Sequence, residues 1–159
     1  MLTIKMITVG TLKEKYLRDA ADEYKKRLGA FCRYEEINLK EYRLPESPSQ
    51  AETEAALAEE GKSILAAIPQ KAYKIALCVE GKQFSSEGLA GKISEISMQY
   101  SEICFVIGSS HGISPSVKSA CDLRLSVSEL TFPHQLMRVI LLETVYRSLN
   151  IIKGTKYHK

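Results

Sequence analysis

The chain has 159 residues, of which 45% are hydrophobic and 26% are charged, a composition typical of a soluble globular domain that buries its own core. No apolar run exceeds five residues, whereas a membrane-spanning helix needs roughly 18, and the N-terminal residues MLTIKMITVG predict a strand rather than a signal peptide. We therefore expect a single cytoplasmic domain over residues 1–159, with no segment in a membrane.

The net charge of +3 is small but unevenly distributed. Residues 138–159 carry five cations and one carboxylate, a net charge of +4, and the rest of the chain carries −1. This basic C-terminal segment is either a surface that binds an anion or a solvated end that keeps the protein soluble. Charge alone favours neither interpretation.

Strands and helices alternate from the first residues onward. Hydrophobic spacing predicts a strand over 4–9, a helix over 12–28, a strand over 31–39 and a second amphipathic helix over 51–68. The loop over 43–50 is rich in proline and serine. The predicted buried stripe of the second helix consists of Leu57, Gly61, Ile64, Leu65 and Ile68.

Two nearly continuous apolar runs follow. Residues 72–79 predict a central strand covered on both faces, and a helix then begins near Ser85 or Ser86, where serine can cap it. Residues 103–107 predict a second strand of the same kind, followed directly by the small residues GSSHGIS. Small residues after a strand allow a ligand to approach the backbone closely.

The last third of the chain completes the alternation. A short helix begins near Pro115, a strand covers 124–127, and a long helix covers 133–152 with Pro133 in its first turn. Such an alternation predicts an α/β fold with a mostly parallel sheet and helices on both faces.

The long last helix is apolar almost all the way round. A helix of this kind is buried on more than one side, so we expect one side to face the sheet and another to form a homodimer. Its apolar residues are Leu136, Met137, Val139, Ile140, Leu141, Leu142, Val145 and Leu149.

Three strand ends are rich in small or capping residues, namely 79–81, 108–112 and 127–131. Ligands in open α/β sheets lie at the carboxyl ends of the strands, so these segments are predicted to surround one small molecule. The chain has no Walker-type phosphate motif and no G-x-G-x-x-G. A ligand without phosphates, bound by backbone groups, therefore fits better than a nucleotide di- or triphosphate.

Other catalytic and metal chemistry has little support in the residues. No G-x-S-x-G motif is present, and His134 is better interpreted as a structural histidine than as a catalytic one. The cysteines form no C-x-x-C pair and lie at no metal-binding spacing from a histidine, so we expect no metal site. We expect reduced, mostly buried thiols, with a reactive thiol as the alternative, at Cys32, Cys78, Cys104 and Cys121.

The chain resembles, over nearly its whole length, the RlmH family of small SPOUT-class methyltransferases, which act on N3 of a pseudouridine in 23S ribosomal RNA. The most specific part of the match is LTFPHQLMRVILLETVYR together with the closing YHK. Further matching segments are ITVGTLKEKYLRDAADEYKKRL, EGKQFSSEGLA and FVIGSSHGIS.

The resemblance implies properties that the residues alone do not. It implies a C-terminal deep trefoil knot, which is an exception to the rule that connections do not thread loops. It also implies a homodimer that uses S-adenosylmethionine to methylate helix 69 of the large-subunit rRNA in the assembled ribosome. The cofactor residues that it implies are Leu77, Gly108, Val127, Ser128, Glu129, Leu130, Thr131 and Phe132.

The resemblance also assigns a role to the basic C-terminal segment. It makes Tyr157 and His158 candidates for catalytic residues that complete an active site across the dimer. It makes Arg138, Arg147 and Lys156 candidates for binding rRNA phosphates. Without the resemblance, a terminal YHK is expected to be disordered.

The chain departs from the family's usual pattern at three positions. Ser109 replaces a second glycine, His111 stands where small polar or acidic residues are common, and Thr11 replaces a frequent lysine. The departures leave the fold prediction unchanged and bear on contacts in the first loop, especially at Ser109. Two alternatives remain: a non-catalytic module that binds RNA or the ribosome, and a flavin- or nicotinamide-dependent α/β enzyme.

Overall fold

A computed structural model describes all residues, 1–159, and contains five strands and five helices. In chain order they are β1 Thr3–Val9, α1 Lys15–Leu28, β2 Arg33–Leu39, α2 Gln50–Ala67, β3 Tyr73–Lys82, α3 Ser86–Ser97, β4 Glu102–Ile107, α4 Pro115–Ala120, β5 Leu123–Leu125 and α5 His134–Lys153. No helix has both the length and the apolar character needed to cross a bilayer.

The strands form one sheet in the order β2-β1-β4-β3-β5, with every neighbouring pair parallel. Side chains alternate along β4, so that Phe105 faces the core beneath α1, α3 and α5 while Val106 faces the core beneath α2 and α4. The predicted α/β architecture, with a parallel sheet between two helical layers, is therefore confirmed. The trefoil knot stays a prediction.

The strand predicted over 72–79 is an interior strand, because β3 lies between β4 and β5. Its burial is less complete than predicted. Only Ile75 and Ala76 of β3 are fully buried, and Val79 is 61% exposed. The apolar run over 72–79 has two roles, because its first half fills the core and its second half leaves the pairing with β5.

The buried stripe of helix α2 matches the prediction in part. Gly61, Ile64 and Ile68 are buried as predicted, whereas Leu65 is 41% exposed. Ala56 and Glu60 are buried in addition. Glu60 faces inward because its carboxylate accepts hydrogen bonds from Ser109 and from a backbone N–H. A charged residue therefore occupies a place on the buried stripe, an outcome that a search for apolar residues alone does not predict.

Candidate functional site

The carboxyl ends of β3, β4 and β5 enclose a single cavity of about 470 Å³, here called the strand-end cavity. Its walls come from residues 77–80, 107–113, 126–128 and 130–134, with Lys118 and Met137 beside them. The three segments predicted to surround one small molecule do meet at this edge of the sheet. The volume lies within the range of roughly 300–1,000 Å³ that is typical of small-molecule sites.

An interruption in the pairing of β3 with β5 forms the first wall. Both Leu77 and Lys82 pair with Leu125, so the residues between them are displaced from the ladder towards the cavity. A Cβ on Gly81 would lie 2.7 Å from the backbone carbon of Leu125. Only glycine allows the two strands to come together again at this point.

A tight turn after β4 forms the second wall. Ser109 and Gly112 form an isolated bridge, and Gly112 has a φ of +94°, which favours glycine. A Cβ on Gly108 would lie 2.2 Å from the carbonyl oxygen of Gly112, so the turn itself demands glycine at that position.

Ser109, where the family usually has glycine, is buried, and its hydroxyl donates a 2.8 Å hydrogen bond to Glu60. The departure at Ser109 is therefore accommodated by a buried acceptor on α2.

The loop between β5 and α5 forms the third wall and is organised by its own serines. The Ser126 hydroxyl donates to the carbonyl of Ser128 at 3.1 Å, and the Ser128 hydroxyl accepts from the N–H of Leu130 at 3.0 Å. Pro133 caps α5, whose first helical residue is His134 rather than Pro133 as predicted.

Most of the predicted cofactor residues lie around the strand-end cavity. Glu129 does not, because its side chain is exposed on the loop and does not reach the cavity wall. The residues that do line it are Leu77, Gly108, Val127, Ser128, Leu130, Thr131 and Phe132.

The chemistry of the strand-end cavity suits a nucleoside without phosphates. The one lysine or arginine in its wall is Lys118, which forms an ion pair with Glu80. That hydrogen bond lowers the pKa of the Glu80 carboxyl. With this cation already paired, the wall holds no other lysine or arginine for a phosphate, and it combines loop backbone and apolar side chains with hydroxyl groups and the side chains of His111 and His134.

The C-terminal residues pack on α3 and α5 of their own chain. The Tyr157 hydroxyl donates to Glu143 at 3.0 Å, and its ring meets that of Tyr146 edge to face at 4.8 Å between centroids. His158 lies 3.1 Å from Arg147 through Nδ1 and 2.8 Å from Glu87 through Nε2. The tail is thus ordered by several contacts and is not the free end that its composition alone predicts.

This packing keeps Tyr157 neutral and away from its own cavity. Burial, together with the hydrogen bond to Glu143, raises the pKa of Tyr157 to about 12. About 15 Å of helix separates Met137, in the cavity wall, from Arg147, at about 1.5 Å per residue. Within one chain, therefore, the tail does not reach the strand-end cavity.

Arg138, which was predicted to bind RNA phosphates, is buried in this structure, and its role in RNA binding stays a prediction. Arg138 is only 4% exposed, and its guanidinium donates to the carbonyl of Gly10 at 3.1 Å, to Asn38 at 2.7 Å and to Glu36 at 3.3 Å. Burial lowers the pKa of Arg138, although Glu36 opposes this effect. Through its two terminal nitrogens, Arg138 ties α5 to the ends of β1 and β2.

Glu36 has further partners in the same network. Lys25 forms an ion pair with it at 2.8 Å, and the Tyr34 hydroxyl donates to it at 2.6 Å. Burial alone would raise the pKa of Glu36, but these hydrogen bonds outweigh it and lower the pKa. The network is a structural support beneath the start of α5.

The other two predicted RNA-binding residues differ in their surroundings. Arg147 is half-buried and forms a 2.6 Å ion pair with Glu143 on the same helix. Lys156 is exposed and has no carboxylate within 4 Å. Lys156 is therefore free to meet a phosphate, whereas Arg147 must share its guanidinium.

The four cysteines are free thiols, with Cys32 and Cys104 buried and Cys78 and Cys121 half-buried. Burial raises the pKa to about 11 for Cys32 and Cys121 and to about 12 for Cys104. The thiolate forms that react with electrophiles are thus disfavoured. The structure contains no cluster of three or more histidine, cysteine, aspartate or glutamate side chains that could hold a metal ion.

Sequence reasoning missed Glu60 and Lys118, and it placed Glu80 in the predicted segment 79–81 without its ion pair to Lys118. Glu60 lies four residues from both Ala56 and Ile64, so helical spacing places it on the buried stripe. That spacing was the available signal. Glu80 and Lys118 are 38 residues apart, and no local pattern links them.

Comparison with known proteins agrees with this geometry. A family model described as "Predicted SPOUT methyltransferase" matches residues 2–158. The chain is 48% identical over 159 residues to the "Ribosomal RNA large subunit methyltransferase H" of Streptococcus thermophilus (strain CNRZ 1066), covering 99% of this chain and 100% of that protein. It is 46% and 45% identical, with the same coverage, to the proteins of that name from Clostridioides difficile (strain 630) and Limosilactobacillus reuteri (strain DSM 20016).

Proposed function

This chain belongs to the SPOUT methyltransferase family, and from that premise we propose that it methylates N3 of a pseudouridine in helix 69 of 23S rRNA. The proposed methyl donor is S-adenosylmethionine, and the proposed substrate is the assembled ribosome in the cytoplasm. The observation that carries the proposal is the strand-end cavity. Its wall offers loop backbone and no lysine or arginine other than the paired Lys118, which suits a nucleoside ligand without phosphates. The relatives' names, which specify large-subunit rRNA, support the substrate class.

The cofactor would be held by the three walls of the strand-end cavity. Leu77 and Phe132 offer apolar surface, while Gly108 and the 127–132 loop offer backbone groups. When bound, S-adenosylmethionine supplies a methyl group that is already activated by its sulfonium, so the chain's own work is to orient the base nitrogen and to handle its proton.

The tail is proposed to serve the cavity of a partner protomer, because it does not reach its own. As a neutral phenol, Tyr157 would contribute a hydrogen-bond donor rather than a general base. One ring nitrogen of His158 contacts Arg147 and the other contacts Glu87. The orientation of the ring is therefore defined before substrate binds. Arg147 and Lys156 are proposed to bind rRNA phosphates beside it.

The homodimer is proposed on the surface of α5 that the monomer leaves uncovered. Leu136 is 36% exposed and Ile152 is 42% exposed, while Val139 and Ile140 between them are half-buried. Apolar side chains in this state on one long helix favour a symmetric contact with a second copy. Analytical ultracentrifugation at micromolar concentration is expected to give a dimer, and a monomer would contradict the assignment.

Titration with S-adenosylmethionine by calorimetry separates the proposal from its alternatives. The proposed enzyme is expected to bind the cofactor with a measurable heat. A non-catalytic RNA-binding module would give no heat, and a flavin- or nicotinamide-dependent enzyme would copurify with a coloured or dinucleotide ligand.

Mass spectrometry of the rRNA stem-loop tests the reaction in cells. Deletion of the gene is expected to remove the methyl group from the pseudouridine, and reintroduction of the gene is expected to restore it. Methylation that persists in the deletion strain would exclude the assignment.

Two tail variants test the contribution of the C-terminal residues. Tyr157→Phe and His158→Ala are expected to lower the methylation of ribosomes while the affinity for S-adenosylmethionine stays unchanged. Ribosome methylation at the wild-type rate in both variants would remove the tail from the mechanism.

A further inference from the structure

A second cavity of about 490 Å³ adjoins the strand-end cavity and is used by nothing described so far. We call it the loop cavity, because the longest continuous part of its wall comes from the loop after β2, residues 41–45. Lys13 and the inner side of α2 complete it. Ser109 and His111 line both cavities, so the turn after β4 is the partition between them.

A buried carboxylate joins the two cavities. Glu60 is 6% exposed, and one of its oxygens accepts from the Ser109 hydroxyl at 2.8 Å while the other accepts from the N–H of Tyr42 at 3.0 Å. Two hydrogen bonds to a charged acceptor fix the loop over 41–45 against the turn of the strand-end cavity. The loop cavity is therefore a built site with a defined position relative to the cofactor residues.

A second contact fixes the opposite side of the loop cavity. The N–H of Lys13 donates to the side-chain oxygen of Gln135 at 3.0 Å, and Arg18 donates to the carbonyl of Lys13 at 2.6 Å. Gln135 follows His134, which lines the strand-end cavity. Both sides of the loop cavity are thus attached to elements of the cofactor site.

The side chains of the loop cavity are those that recognise a nucleotide. Lys13 and Arg43 are exposed cations without a carboxylate within 4 Å, so both are free to meet phosphate oxygens. Tyr42 is 49% exposed and offers an aromatic face on which a base can stack. Glu41 also lines the cavity, and its carboxylate can accept from an N–H on the edge of a base.

We propose that the loop cavity binds the target nucleotide of the RNA substrate. The base stacks on Tyr42, the flanking phosphates meet Lys13 and Arg43, and the edge of the base reaches the strand-end cavity across the Ser109–Gly112 turn. This inference rests on the proposed function and adds to it the place where the substrate binds. An unpaired nucleotide is required, because one base must leave its stack to enter a cavity of this size.

The test removes the two free cations in the full-length protein. Lys13→Ala combined with Arg43→Ala is expected to raise KM for ribosomes about ten-fold or more, while kcat and the affinity for S-adenosylmethionine stay within two-fold. The slope of log affinity against log salt, measured with a stem-loop RNA, is expected to fall by about 0.7–0.9 for each lost phosphate contact. A merely structural role would not change that slope.

Matched controls lie at the opposite edge of the sheet. Arg33→Ala and Lys71→Ala remove one cation each from the amino ends of β2 and β3, and both variants are expected to match the wild type. Tyr42→Phe is expected to retain RNA affinity and Tyr42→Ala to lose it, because stacking needs the ring and not the hydroxyl. Should an alanine variant unfold, Lys13→Gln and Arg43→Gln replace it.

The outcomes separate the inference from the function on which it rests. If the wild type neither binds S-adenosylmethionine nor methylates ribosomes, the proposed function fails. If the wild type methylates ribosomes and the Lys13 and Arg43 variants keep its KM and its salt dependence, only the inference about the loop cavity fails.

Discussion

Arg138→Met tests whether this arginine supports the fold or binds RNA. Methionine keeps much of the side-chain volume but removes the three hydrogen bonds to Gly10, Asn38 and Glu36. Removing one partner of a buried ion pair costs about 3–5 kcal/mol. Glu36 keeps two other hydrogen-bond partners, so we expect the lower end, a loss of about 3 kcal/mol in the free energy of unfolding.

The loss is measured by urea unfolding followed by circular dichroism, at one protein concentration because a dimer gains stability with concentration. A loss of about 3 kcal/mol corresponds to a fall of about 6–12 °C in Tm for a chain of this size. Arg33→Met is the control, because Arg33 is 73% exposed and pairs only with Glu35, and its effect is expected to stay below about 1 kcal/mol.

The reasoning is refuted if Arg138→Met unfolds like the wild type. An accompanying fall of about 0.7–0.9 in the salt slope of RNA binding would restore Arg138 as a phosphate contact. A structural role thus predicts lower stability with an unchanged salt slope, whereas an RNA-binding role predicts unchanged stability with a smaller salt slope.

Three further predictions concern the turn and two titrating groups. Gly108→Ala places a Cβ 2.2 Å from the Gly112 carbonyl oxygen, and overpacking of this kind costs about 1–3 kcal/mol. Calorimetry is therefore expected to show about ten-fold weaker binding of S-adenosylmethionine. Unchanged affinity would show that the turn does not contribute to cofactor binding. The depressed pKa of Glu36 means that its stabilisation is complete above the ordinary value of 4.5 and is lost as pH falls through the folded value. In urea unfolding at a series of pH values, Glu36→Gln is expected to weaken the fall in the free energy of unfolding at acid pH. The same fall as in the wild type would contradict this. Because the pKa of Tyr157 is raised to about 12, its contribution to stability is complete below about pH 10 and is lost as pH rises towards 12. Tyr157→Phe is expected to remove one component near pH 12 from the absorbance titration of the tyrosines. Loss of a component near pH 10 instead would argue against the contact with Glu143.

Local patterns were sufficient for the architecture and for the position of the strand-end cavity. Alternating apolar runs and helical spacing defined the order of strands and helices, and in a parallel sheet that order already places every strand's carboxyl end at one edge. The segments at 79–81, 108–112 and 127–131 could therefore be grouped before the structure was known. The resemblance to a family, and not periodicity, supplied the cofactor and the RNA substrate.

The roles of individual charged residues required the tertiary structure. Arg138 occurs in a basic segment and was interpreted as a surface cation, yet its partner Glu36 lies 102 residues away. Glu60 occurs among exposed acids of α2 and meets Ser109 across 49 residues. Whether a charge is buried depends on which donors or acceptors folding brings beside it, and sequence spacing carries no record of those distances.

Local periodicity and long-range polar pairing therefore decide different features of this protein. Sequence by itself determined most of the apolar residues that face a core and where the strands end, because both follow from the period of the backbone, 2 for a strand and about 3.6 for a helix. Tertiary structure alone decided that Glu60 joins two cavities, that Arg138 is a buried support and that the tail packs on α5. Each of these depends on pairing a polar group with a partner distant in the chain, since an unpaired buried charge is too costly to persist.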